Sequence, residues 1–134
     1  MCAPRIARSL ADDTGSAVVE FVLVGVVLVT LMLAVLQLAL ALHVRNTVMD
    51  AASEGARYGA LADNSPADAV QRTADLIGSA IGPAYARDIE VSEEQWMGQP
   101  AVVVTVRTTV PLMGLLGIDR GLEVQGHAVR ETLG

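Results

Sequence analysis

The residue best placed to do chemistry is Glu20, a single carboxylate at the mouth of an uncharged, mostly apolar run from Phe21 to Leu42. An ionisable group at the edge of a membrane-length segment is a functional candidate by default, because a charge beside hydrocarbon is costly unless something neutralises it. It belongs to the stretch Gly15-Ser16-Ala17-Val18-Val19-Glu20-Phe21, in which four small or apolar residues separate the glycine from the carboxylate. A bland reading stands beside this one: Ser16 is a competent helix N-cap, and a carboxylate near a helix start is favoured by the dipole. The other reactive side chains are spaced for no reaction. His43 and His127 have no close metal-ligand spacing to each other or to Cys2, so no zinc site is expected. Asp88, Glu90, Glu93 and Glu94 lack the ordered oxygen-ligand loop of a calcium site and read as a solvated strand edge. Neither a nucleophile elbow nor a glycine-rich phosphate loop is present. The expectation is no enzyme, no catalytic residue, no metal and no cofactor.

The element that must position Glu20 is the apolar run itself. Its 22 residues would make roughly 33 Å of helix, against a hydrocarbon core of about 30 Å. Thr30 and Gln37 are its only polar side chains, whereas a soluble helix of this length would show a polar face. A cleavable signal peptide is one alternative, since Arg5 and Arg8 precede the run and Ala39-Leu40-Ala41 resembles a cleavage pattern. The run is longer than the 7 to 15 residues or so of such a region, and no polar segment precedes the alanines. A plain single-pass anchor is the other alternative. Two arginines on each side, Arg5 and Arg8 against Arg45 and Arg57, leave its orientation undecided by charge.

With 134 residues, the part beyond this run is large enough for one small domain. From His43 onward there are 12 acids and 7 arginines, a net charge of −5, and the chain has no lysine. With one Trp, two Tyr and one Phe, it offers neither the basic footprint nor the stacking platform of a nucleic-acid binder. Cys2 is the sole cysteine, so the domain must hold together by packing alone.

The Gly15 to Phe21 motif, followed at once by the apolar run, resembles the TadE-like pseudopilins of the tight-adherence (Flp-type) pilus system, a branch of the type IV pilin superfamily. The second resemblance is in register with the first: Ala51-Ala52-Ser53-Glu54-Gly55-Ala56-Arg57-Tyr58 is similar to the family's A-A-x-E-G-A-R-Y signature. The C-terminal end also looks similar, and residues 60–100 are the least distinctive. The resemblance implies a prepilin peptidase that cuts between Gly15 and Ser16, making Glu20 the fifth residue of the mature chain. It implies as partners the membrane, other pilin or pseudopilin subunits and the tight-adherence assembly machinery. It also implies a cytoplasmic N-terminus and an extracytoplasmic C-terminal domain. Cleavage would expose an α-amino group, mostly protonated at neutral pH. Buried in a filament core without a partner it would cost several kcal/mol, so Glu20 of a neighbouring subunit would neutralise it. Glu20 and Phe21 are then assembly residues, and Glu54, Gly55, Ala56, Arg57 and Tyr58 carry the signature.

Beyond Leu42 a helical stripe continues through Val44, Val48, Ala51, Ala52 and Gly55. Small residues here admit another backbone, either the domain's sheet, the favoured option, or a second helix. Glu54 and Arg57 could pair across one turn. Ser65-Pro66-Ala67-Asp68 reads as a capping box starting a second helix, with Val70, Thr73, Ala74, Ile77, Ala80 and Ile81 facing inward and Gly82-Pro83 ending it. A strand follows around Ile89 and Val91, then a turn from Met97 to Pro100, a strand from Ala101 to Val110 and a third from Leu122 to Thr132. The expected fold is therefore α+β and pilin-like: a long membrane-spanning helix, a second helix and a three-stranded antiparallel sheet. The division is a leader at 1–15, the helix at 16–60 and a domain at 61–134. The uncharged loop Leu112 to Ile118 needs cover, from the domain's own helices, the membrane surface or a partner subunit.

Overall fold

The computed structural model describes residues 4–110 and 118–131, with side chains for 15–109 and 121–131. Helix α1 spans Pro4–Ala60 and helix α2 spans Pro66–Ala80; a 3-10 turn at Pro83–Tyr85 follows. Strands β1 (Asp88–Trp96), β2 (Gln99–Val110) and β3 (Ile118–Val129) form one antiparallel meander in the order β1-β2-β3. The fold is thus α+β with the elements the pattern predicts. Residues 112–117 of the apolar loop lie outside the described residues, so its three candidate covers are not distinguished.

The chain divides into two compact units, Met1–Leu38 and Ala39–Gly134. The first is helical from Pro4, where the fixed φ of proline suits the first turn. Its apolar side chains are exposed, Phe21 at 80%, and the most hydrophobic stretch of α1 has none of its residues buried. The helix is long and apolar enough to cross a membrane, and an apolar surface of that extent needs a cover other than water.

In the second unit the predicted stripe is buried: Val44, Val48, Ala51, Ala52 and Ala56 pack with Ala69 and Ile77 of α2 and with Val104, Val106 and Val124 of the sheet. Each large side chain so buried contributes about 1.5 to 3 kcal/mol. The choice between sheet and second helix resolves as both. A Cβ on Gly126 of β3 would lie 2.4 Å from the Ala52 carbonyl carbon, so the sheet touches the α1 backbone there. One on Gly59 would lie 2.5 Å from Ala69 Cβ, and one on Gly55 would collide with Thr73, so α2 rests on the adjoining side. The α2 face runs Ala69, Thr73, Ile77; Ala69 joins the predicted set because it sits against Gly59, and Ala80 is exposed.

Ser65 and Asp68 form the predicted capping box, with the Ser65 amide donating to Asp68 Oδ2 at 2.7 Å. That bond, followed by the one from the Ser65 hydroxyl, holds the Asp68 carboxyl below its ordinary value of 3.8. The β1–β2 turn is tighter than predicted. Only Met97 and Gly98 lie outside the ladder, both at positive φ (51° and 81°), and Gln99 and Pro100 already belong to β2. The third strand starts at Ile118 rather than Leu122, paired with Val110, and ends at Val129 rather than Thr132. Its end is tied down by hydrogen bonds from Arg130 N to Pro100 O and from Glu131 N to Ala60 O, each 2.9 Å.

Candidate functional site

Two groups of residues were singled out by the sequence, one in each unit. In the first, Gly15, Ser16, Glu20 and Phe21 all lie exposed on α1, and a Cβ on Gly15 would meet nothing within 4 Å. In the uncut chain α1 begins at Pro4 and runs through Gly15 and Ser16. Ser16 is therefore not an N-cap, and Glu20 is too far along the helix for the dipole of its first turn to account for it. The physical reason is local composition. Residues 5–13 contain Arg, Leu and Ala, good helix formers, and no internal proline or glycine interrupts them. Among the described residues Glu20 has no ion-pair partner.

In the second unit the signature residues divide by role. Gly55 and Ala56 are buried on the face of α1 that receives α2 and the core, while Glu54, Arg57 and Tyr58 are exposed. The pairing of Glu54 with Arg57 is replaced by one between elements. Glu54 Oε1 lies 3.9 Å from Arg72 of α2, and the Arg72 guanidinium sits 5.8 Å from the centre of the Tyr58 ring. One turn of α1 thus presents a carboxylate, an absent side chain and an aromatic face to a single turn of α2. The pair is exposed and contributes at most about 1 kcal/mol, so its value is in fixing the register of the two helices. Arg57 takes no part, and among the described residues it has no ion-pair partner. Sequence reasoning missed Arg72, which nothing in its own neighbourhood marks. An (i, i+4) Glu-Tyr pair around a glycine is the signal that could have pointed to a cation on the opposite helix.

The acidic strand residues are placed around arginines. Arg107 Nε lies 3.0 Å from Glu123 Oε2, and its Nη1 lies 3.0 Å from Glu90 and 3.8 Å from Asp88. Hydrogen bonding to Glu90, then to Glu123, raises the Arg107 pKa further. Glu93 pairs with Arg130, and Glu94 accepts a hydrogen bond from Ser92. Among the described residues no group of three or more His, Cys, Asp or Glu could hold a metal ion. On the sheet face away from the helices, Trp96 and His127 reach across β2 from its two neighbours, ring centres 4.4 Å apart. Ala101 and Val103 of β2 are buried, as are Val102 and Val104 on the alternate face.

Residues 15–57 match the family model described as TadE-like protein, the family that the sequence resembles. The match starts on Gly15 and stops on Arg57, within the signature. No curated protein and no solved structure matches the chain.

Proposed function

Taking the TadE-like identity of residues 15–57 as premise, we propose that this chain is a structural pseudopilin or minor pilin required for assembly of a tight-adherence (Flp-type) pilus. The TadE-like family is a family of structural pilus components and suggests a minor-pilin-like protein. The observation that carries the finer reading is the coincidence at its start: the match opens on the glycine after which a prepilin peptidase would cut. The leader is then residues 1–15, and Ser16 becomes the N-terminus of a single-pass protein with its C-terminal domain outside the cytoplasmic membrane. Glu20 without an ion-pair partner, beside an exposed apolar helix, supports its role of neutralising the new α-amino group of a neighbouring subunit. The chain acts by packing, with the peptidase, sister pilin subunits and the assembly machinery as partners.

One observation favours a second reading, a permanently anchored single-pass protein whose outer domain binds an envelope partner: α1 runs unbroken across Gly15 and Ser16. A peptidase would have to open this helix before cutting it. Expression with and without a tight-adherence prepilin peptidase, followed by intact mass and N-terminal sequence of the membrane fraction, separates the two. A peptidase-dependent product starting at Ser16 supports the pilin reading. An intact N-terminus in both samples supports the anchor, and a start at Leu42 would reinstate the signal peptide.

A further inference from the structure

The turn between β1 and β2 combines features that each disfavour it in an isolated molecule. Met97 occupies the first position of a two-residue turn at φ 51°, where glycine, asparagine or aspartate is the comfortable choice. It is also 91% exposed, and Trp96 beside it is 46% exposed. The tip from Gln95 to Pro100 carries no charge in a chain of net charge −6. A large apolar side chain in strained backbone and open water gains nothing for the fold, so its gain is in a contact.

The same unit carries a matching recess. A cleft of about 280 Å³ opens between α1 and α2, with Ala51, Leu76 and Ala80 supplying apolar surface and Thr47, Asp50 and Glu54 supplying oxygen atoms. A methionine side chain fits that volume. The lining is mainly apolar with Asp50 and Glu54 at its rim, and the uncharged tip brings an apolar side chain together with donors: the Trp96 indole N–H and the Gln95 and Gln99 amides.

The two features cannot meet within one molecule. The tip lies at the Ala60 end of α1, fixed there by the bonds from Arg130 to Pro100 and from Glu131 to Ala60. The cleft lies along residues 47–54 of the same helix, opposite the later turns of α2. We propose that the Met97 tip of one copy docks into the α1–α2 cleft of a second copy. The contact is heterologous, so each added copy leaves one tip and one cleft open and association continues in a row rather than closing. It does not depend on removal of the leader, so its failure would leave the processing proposal untouched, and the converse holds.

Disulfide trapping in membranes tests it with the full chain in a Cys2→Ser background. Met97→Cys and Ala80→Cys, each on a separate co-expressed copy, are expected to form a mixed dimer on mild oxidation, and both on one chain a ladder. A yield no greater than that of Met97→Cys with Gln71→Cys, an exposed α2 position outside the cleft, would overturn the proposal. So would trapping confined to two Met97→Cys copies, which marks a symmetric contact. Folding is separated from docking by Met97→Asn, which suits the turn, and by Ala80→Arg at an exposed position. Trp96, the sole tryptophan, reports on both. Its emission should shift to shorter wavelength as the protein-to-lipid ratio rises, and both variants should melt as cooperatively as the parent while losing that shift. A shift retained in both variants would place the contact elsewhere.

Discussion

Gly126 is the residue on which the sheet's approach to α1 depends. A Cβ there meets the Ala52 carbonyl carbon and oxygen and the Ser53 nitrogen at 2.4 to 2.5 Å, all backbone atoms that cannot rotate away. Gly126→Ala should therefore destabilise the second unit by about 1 to 3 kcal/mol or more, by forcing β3 off the helix. Trp96 emission during denaturant unfolding measures it, and an unchanged midpoint would show that β3 can ride further out. Asp68 gives a prediction of a different kind. Its carboxyl titrates lower when folded, because the Ser65 amide and hydroxyl donate to its ionised form. Its stabilisation is present above the unfolded value and is lost as the pH falls through the folded one. Asp68→Asn should thus lower the melting midpoint at pH 7, and the gap to the parent should close as the pH falls below 3.8. A gap independent of pH would assign the effect to shape and not to charge. Of these two residues the sequence announced only Asp68, because a capping box is local. Gly126 reads as an ordinary strand glycine until the helix it faces is known.

At the scale of elements, the meeting of α1 and α2 is a complementarity of missing side chains. Gly59 faces Ala69, and Gly55 faces Thr73, whose hydroxyl donates to Ala69 O at 2.8 Å. Gly59→Ala places two methyl groups where one fits, so it should destabilise although alanine is the better helix former. Ala69→Gly should then restore part of the loss, less the roughly 1 kcal/mol that glycine costs in a helix interior. Denaturant unfolding of the two single variants and the double completes the cycle. Additive effects would mean that the positions do not touch. The stripe of small residues was visible from residue 51 to residue 60, but its use was not. Helical periodicity assigns residues to a face without saying that the sheet at Ala52 and α2 at Gly55 and Gly59 share it. The strands were legible because alternation and valine content are local. The extension of β3 back to Ile118 was not, since it comes from pairing with Val110 and not from a pattern of its own.

At the scale of the molecule, the two units carry different halves of the argument. The family match covers residues 15–57, whereas α2 and the strands were read from capping, periodicity and turns, with a likeness at the C-terminal end beside them. Within the matched segment the structure adds what the motif alone does not carry, since α1 runs unbroken through Gly15 and Ser16. Glu20 tests whether the units are separable. It belongs to the unit Met1–Leu38, while Trp96 reports on the unit Ala39–Gly134. If Glu20 serves assembly, Glu20→Ala should leave the Trp96 melting midpoint and the Gly15–Ser16 cut unchanged while reducing recovery of the chain in sheared pilus fractions. Sites with no shared partner add independently in stability, so a shift in the melt is not expected. A lowered midpoint would make the assembly loss a folding defect, and undiminished recovery in pili would remove the carboxylate from the assembly step altogether.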